Sequence, residues 1–268
     1  MICHHSIKEN FIPESKNGAD GPSGPYIVNL SSPGAFFYRA RLGVYIFFFL
    51  ILWPLNQQYG PPLIDRIPIS HIFGNLILKM EVLLCCLIYF GGTFLRMLGA
   101  AYIGGNKIWS PSLKTGDISD NGPFRFMRHP VYTGSILIIL SLVPLCSPVG
   151  GGFILLSAGG FTLYLARYEE IQIRSLHRAS HEIQEPQRRF LPDKGFYQFL
   201  ILEGFSRVCK KWKETVSSEF YNLSFGTGFL AFSLTLSARY FWYGFAFSLV
   251  FFLLLILTGK TYSGAHPH

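Results

Sequence analysis

The stretch Tyr240–Leu257 (YFWYGFAFSLVFFLLLIL) carries no charge over 18 residues. A helix of roughly 20 residues crosses the hydrocarbon core of a bilayer, and a helix apolar on every side has no solvent-facing surface. The feature recurs along the chain. Apolar runs at about Ala40–Leu55, Met80–Ile103, Val131–Leu145, Gly151–Tyr168 and Tyr221–Ala238 join Tyr240–Leu257 to predict six transmembrane helices. Half of the 268 residues are hydrophobic and only 14% are charged, against about a quarter charged in soluble domains. The sequence therefore predicts an all-α, polytopic membrane protein.

Pro54 closes the first run, and Cys146-Ser147-Pro148-Val149-Gly150 is a turn that joins the third and fourth as a tight hairpin. The fifth and sixth meet near Arg239. The long polar segments Gly104–Pro130 and Glu169–Phe220 flank the same hairpin and so share one side of the membrane. The second carries Arg174, Arg178, Arg188, Arg189, Lys194, Arg207, Lys210, Lys211 and Lys213, whereas the opposite loop Asn56–Ser70 sets Arg66 against Asp65. Basic loops stay on the cytosolic side, which places both segments and both termini in the cytosol, at a bacterial inner membrane or the endoplasmic reticulum. The same bias accounts for the net charge of +8 without a nucleic-acid partner. Residues 1–33 are polar and rich in Gly, Pro, Ser and Asn, and read as a loosely tethered arm. Residues 34–103 hold the first two spans, 104–195 a core of loop, hairpin and acidic segment, and 196–268 an interfacial segment and a C-terminal helical pair. Glu169–Glu185 reads as an amphipathic helix along the membrane surface. Trp212 among Lys210, Lys211 and Lys213 reads as an anchor to membrane lipids. Of five cysteines, none form a C-x-x-C pair, and Cys85 and Cys86 read as small hydrophobes.

Chemistry-bearing residues concentrate at the cytosolic ends of the hairpin. In Asn121-Gly122-Pro123-Phe124-Arg125-Phe126-Met127-Arg128-His129-Pro130-Val131-Tyr132-Thr133-Gly134, the first three residues make a turn. Pro130 pushes His129 out of helical geometry and itself suits the first turn of the third helix. The open N-terminus of that helix, with Arg128 and His129 beside it, favours an anion; the plainer reading is a positively charged membrane boundary. At the end of the fourth run stand Arg167-Tyr168-Glu169-Glu170. A helix C-terminus prefers cations, and an acid near hydrocarbon calls for a partner or a function. Arg167 is the nearest partner in sequence; alternatively, a carboxylate faces a cationic ligand. His177 and His181 have the spacing of two metal ligands on one helix face, but no third ligand accompanies them, and two surface imidazoles suffice. Phosphate-loop, nucleophile-elbow and dinucleotide fingerprints are lacking.

At these residues the chain resembles the isoprenylcysteine carboxyl methyltransferases and their phospholipid- and thiol-methylating relatives. That family shows a G-P-Y-x-x-x-R-H-P-x-Y-x-G segment opening a membrane helix, a tight hairpin, a Glu-Glu pair and an R-F-L-P-like close. The counterparts are Gly122-Pro123-Phe124, Arg128-His129-Pro130-Val131-Tyr132-Thr133-Gly134, Glu169-Glu170 and Arg189-Phe190-Leu191-Pro192, in the same order over about Leu95–Pro192. The resemblance implies S-adenosylmethionine as cofactor, with Ile118, Ser119, Phe124, His129, Pro130, Val131 and Tyr132 lining its pocket. Glu169 would contact the cofactor, and Arg167 and Glu170 are the candidate catalytic pair. Phe124 stands where the family has Tyr, and Leu165 where carboxyl methylators hold an Arg.

The reading that follows is in-line methyl transfer at the cytosolic face of a membrane enzyme. The acceptor is a lipophilic or small molecule: a prenylcysteine-type carboxylate, a lipid amine or a thiol. Two other classes fit the spans, an NADPH-dependent reductase of sterol-reductase type, with Arg125, Arg128 and Arg174 as phosphate ligands, and a non-catalytic membrane protein.

Overall fold

The computed structural model describes residues 33–66, 75–105, 121–177 and 190–257. Within them every regular element is helical: α1 (Pro33–Gln58), α2 (Asn75–Ile103), α3 (Pro130–Leu142), α4 (Pro148–Ile154), α5 (Gly160–His177), α6 (Phe196–Phe199), α7 (Phe205–Lys210), α8 (Trp212–Thr235) and α9 (Ala238–Leu257). A π-turn at Leu155–Gly159 joins α4 to α5, and another at Leu200–Gly204 joins α6 to α7. Among the described residues, two apolar helical stretches are long enough to cross a membrane by length and composition, Leu76–Ile103 and Pro148–Gln172, with mean hydropathies of 1.8 and 1.6. Gly43–Asn56 and Pro130–Leu145 are shorter apolar helices.

α2 is the hub. It packs along α3 on one side and α8 on another, while α9 lies against α8, and α1 lies against α4 and α5. The helices approach closely where side chains are smallest, as membrane helices do. A Cβ added at Gly134 of α3 would lie 2.5 Å from the Gly92 carbonyl oxygen of α2, and one added at Gly228 of α8 would lie 2.6 Å from the Gly244 Cα of α9. Around these crossings Cys86, Tyr89, Ile139, Leu142, Ile154, Phe225 and Phe229 form the main buried cluster. Cys85 and Cys86 are buried within α2, in the role their surroundings in the sequence predict.

The hairpin between α3 and α4 is built by its own sequence. A 3-10 turn at Val143–Leu145 ends α3, and the Ser147 hydroxyl caps α4 by accepting from the Gly150 N–H at 3.1 Å. The tip is fastened to the end of α1, where the Asn56 side-chain carbonyl accepts from the Ser147 N–H at 3.0 Å. The link between α8 and α9 turns at Leu236, in the left-handed region at φ 55°, slightly before Arg239.

Several boundaries differ from the sequence reading. α1 begins at Pro33 and continues through Pro54 to Gln58, and α2 begins at Asn75, ahead of Met80. α8 starts at Trp212 rather than Tyr221, because polar residues such as Lys213, Ser217 and Ser218 continue the helix below the apolar run. The junction is marked by non-helical backbone at Glu219 (φ −116°, ψ 16°). The fourth helical rod is longer than Gly151–Tyr168 at both ends, since Ser147-Pro148 starts it and α5 runs to His177. Finally, the interfacial segment is itself helical: Phe196, Phe199 and Val208 pack under Leu95 and Leu98 of α2, while Tyr197, Ile201, Leu202, Phe205 and Trp212 are exposed beside Arg207 and Lys210. An exposed apolar stripe flanked by bases is the pattern of a helix lying in the headgroup layer. The arm before Pro33 and the second half of the amphipathic segment, from 178, lie outside the described residues.

Candidate functional site

Pro130 occupies the first turn of α3, and His129 caps it with φ −127° and ψ 61°, outside the helical region, as the His-Pro order requires. The helix begins on the His129 carbonyl, which accepts from the Thr133 N–H at 2.9 Å and from the Thr133 hydroxyl at 2.9 Å. That hydroxyl also lies 3.2 Å from the Phe190 carbonyl oxygen, and the Phe190 ring packs 5.8 Å from the imidazole. The Asp193 N–H donates to the Phe126 carbonyl at 3.2 Å. Phe190-Leu191-Pro192 thus closes over the loop that leads into α3, so these motif segments, far apart in the chain, form one local structure.

Helix geometry separates the two adjacent carboxylates. Leu165 and Glu169, four residues apart, share one face of α5 and both line a cavity between α1, α2, α3 and α5. Glu170 turns the other way and is buried; its Oε1 lies 3.1 Å from Nε2 of His129 and 3.8 Å from Nη1 of Arg128. Glu170 therefore fixes the imidazole and balances the nearby guanidinium. Arg167, the cation nearest in sequence, is on the exposed face of α5 and does not line the cavity. The Arg167–Glu pair anticipated at this helix end is replaced by Arg128 and His129 from the loop: Arg167 is exposed, Glu170 is buried against the loop, and Glu169 lines the cavity.

The cavity has a volume of about 150 Å³ and is partly open. Phe124, His129, Pro130, Val131, Tyr132 and Glu169, all singled out from the sequence, are among its walls. Ile118 and Ser119 lie outside the described residues, as does His181. The Tyr132 phenol lies beside the Glu169 carboxylate in the cavity wall. Above them α1 contributes Tyr38, Arg41 and Tyr45; the Arg41 guanidinium sits 4.2 Å from the centre of the Tyr38 ring. At the far wall stand Arg96 of α2, Ser135 of α3 and Tyr221 of α8.

Sequence reasoning named no wall residue from α1, α2 or α8. For α1 and α2 the signal was present as charge inside apolar runs: Arg41 and Arg96 both sit in stretches where an unpartnered cation is expensive, and such residues face a protein interior or a site. Their neighbours Tyr38 and Tyr221 had no such signal.

Charges of both signs meet across this small space. Arg96 is balanced by Glu219 at 2.8 Å, and Arg128 shares Glu170 with His129. Arg41 and Glu169 add one charge of each sign. Four tyrosines (Tyr38, Tyr45, Tyr132 and Tyr221) supply ring faces and hydroxyls around these charges. Such a cavity suits a compact ligand that carries both a cation and an anion. Among the described residues no three His, Cys, Asp or Glu side chains gather as a metal site would require.

Comparison with protein-family models, with curated proteins and with solved structures returned no match.

Proposed function

We propose that the chain is an integral membrane methyltransferase that uses S-adenosylmethionine, with its reacting cavity at the cytosolic end of the helical hairpin and six membrane-crossing helices. The observation that carries this reading is the meeting of Glu169 with the His129–Tyr132 segment in one tyrosine-walled cavity. A carboxylate next to aromatic rings is the chemistry that holds an amine or sulfonium cation. The arginines of the same cavity suit the carboxylate at the other end of an amino-acid moiety.

Bound there, S-adenosylmethionine supplies an electrophilic methyl group for in-line displacement by an acceptor nucleophile. The chain's residues do the rest by placement, which is where most of the rate gain of such a reaction arises. Glu169, beside the Tyr132 hydroxyl, would orient the cationic end. Glu170 acts through His129, fixing its ring as a wall and, for a thiol acceptor, as the nearest base. The apolar exposed surfaces of α2 and α5 give a lipophilic acceptor a route from the bilayer, while the polar cofactor arrives from the cytosol. Purified protein incubated with methyl-labelled S-adenosylmethionine and a lipid extract should label an extractable product, and Glu169→Gln should abolish most of that labelling. Equal labelling by wild type and Glu169→Gln would remove the basis for this reading.

A further inference from the structure

The C-terminal helical pair has no assigned part in the reaction, yet it reaches into the cavity. Tyr221 of α8 lines it, and Glu219, on the preceding non-helical residue of the same helix, is completely buried against Arg96. The ion pair is one-sided. Arg96 gives only its Nε to Glu219 Oε2, which also accepts from the Asn222 amide at 2.6 Å, and Glu219 Oε1 has no hydrogen-bond partner among the described residues. An arginine kept solely to neutralise a carboxylate favours the two-pronged arrangement that satisfies both oxygens. Here the guanidinium is turned so that its two terminal nitrogens face Ser135 and Tyr221, both of them cavity walls. Each terminal nitrogen carries two N–H groups, and those two hydroxyls occupy one apiece among the described residues.

We propose that Arg96 is the cavity's receptor for a carboxylate and that Glu219, supplied by the C-terminal helical pair, is the residue that positions it. The proposal rests on reading the cavity as a methyl-transfer site, in which a carboxylate belongs either to the cofactor or to the acceptor. The holding is geometric: Glu219 fixes the Nε edge, Ser135 and Tyr221 fix the plane, and two N–H groups of the terminal nitrogens are left for a ligand in the cavity that Arg96 lines.

Two ligand pairs distinguish the sources: S-adenosylmethionine against its decarboxylated form, and octanoate against octanol, each titrated onto the full chain in lipid nanodiscs. In the wild type, one carboxylate-bearing member should bind at least ~10-fold tighter than its partner, the size of one charge-assisted hydrogen bond or more. Whichever pair shows the ratio names the source. Arg96→Gln should erase the ratio, Glu219→Gln should reduce it, and Arg96→Lys should keep the charge but lose much of the preference. The exchanged pair, Arg96→Glu with Glu219→Arg, restores the ion pair and the thermal midpoint while removing the receptor, so it too should lose the ratio. A merely structural ion pair would let the exchanged protein discriminate as the wild type does, and that result overturns the proposal. So does a wild type that shows no carboxylate preference in either pair, a reading that needs no variant to fold. Failure of S-adenosylmethionine to bind at all would reject the methyltransferase reading alone, because the octanoate pair reports on Arg96 without the cofactor.

Discussion

Replacing Glu219 with Leu should destabilise the helical bundle more than any other single change between α2 and α8. Glu219 is fully buried, and Arg96 is 11% exposed in its side chain. Removing the carboxylate takes away the 2.8 Å bond to the guanidinium and the 2.6 Å acceptor of Asn222. Arg96 would keep only two neutral hydroxyl partners, from Ser135 and Tyr221. Breaking a buried pair from one side costs about 3–5 kcal/mol, since the remaining charge stays desolvated without a counter-ion. Removing both partners is far milder: Arg96→Met with Glu219→Leu should recover at least half of the loss. Glu219→Gln should cost less than Glu219→Leu, because its amide oxygen still accepts from the guanidinium although the charge is gone. Reversible denaturation in mixed micelles, followed by tryptophan fluorescence, reads all four proteins. A Glu219→Leu loss below ~1 kcal/mol, or a double variant that loses as much as the single one, would refute the assignment of a buried, energetically coupled pair.

Other consequences can be read from single sites. Gly134→Ala places a methyl group 2.5 Å from the Gly92 carbonyl oxygen; the thermal midpoint should fall by the equivalent of about 1–3 kcal/mol as α2 and α3 are pushed apart. Glu170→Gln should weaken S-adenosylmethionine binding by about 1–2 kcal/mol through a loosened His129 ring, and His129→Ala by about 1–3 kcal/mol, measured by calorimetry on folded protein. Single cysteines placed near Lys114 and near Lys194 should react with an impermeant label from the same side of the membrane; opposite-side labelling would break the six-span topology.

Much of the architecture was legible because membrane helices announce themselves by long apolar runs. Each of the six apolar runs overlaps a described helix, two of them in stretches long and apolar enough to cross a membrane, and His129-Pro130 sets the start of α3 where the pre-proline rule places it. Helix ends were less legible. α8 extends upstream through Lys213, Glu214 and Ser217, a polar stretch that hydropathy excludes but backbone geometry tolerates until Glu219. At the site, local pairs were readable and tertiary pairs were not. The sequence reading paired Arg167 with Glu170, yet Arg167 is exposed, and adjacent helical residues point to different faces, so Glu169 meets Tyr132 and Glu170 meets His129. Tyr38 and Tyr221 join the cavity only because α1 and α8 pack beside α5 and α2, information held in contacts distant along the chain.

The central claim, that the cavity bounded by His129, Tyr132 and Glu169 receives S-adenosylmethionine, is tested most directly by equilibrium binding to the detergent-purified full chain, with NADPH titrated in parallel. The account predicts saturable one-site binding of S-adenosylmethionine, weakened ~5- to 100-fold by Glu169→Gln as a charged hydrogen bond is lost, and no saturable binding of NADPH. Saturable binding of NADPH alone, or an S-adenosylmethionine affinity unchanged in a folded Glu169→Gln protein, would contradict it.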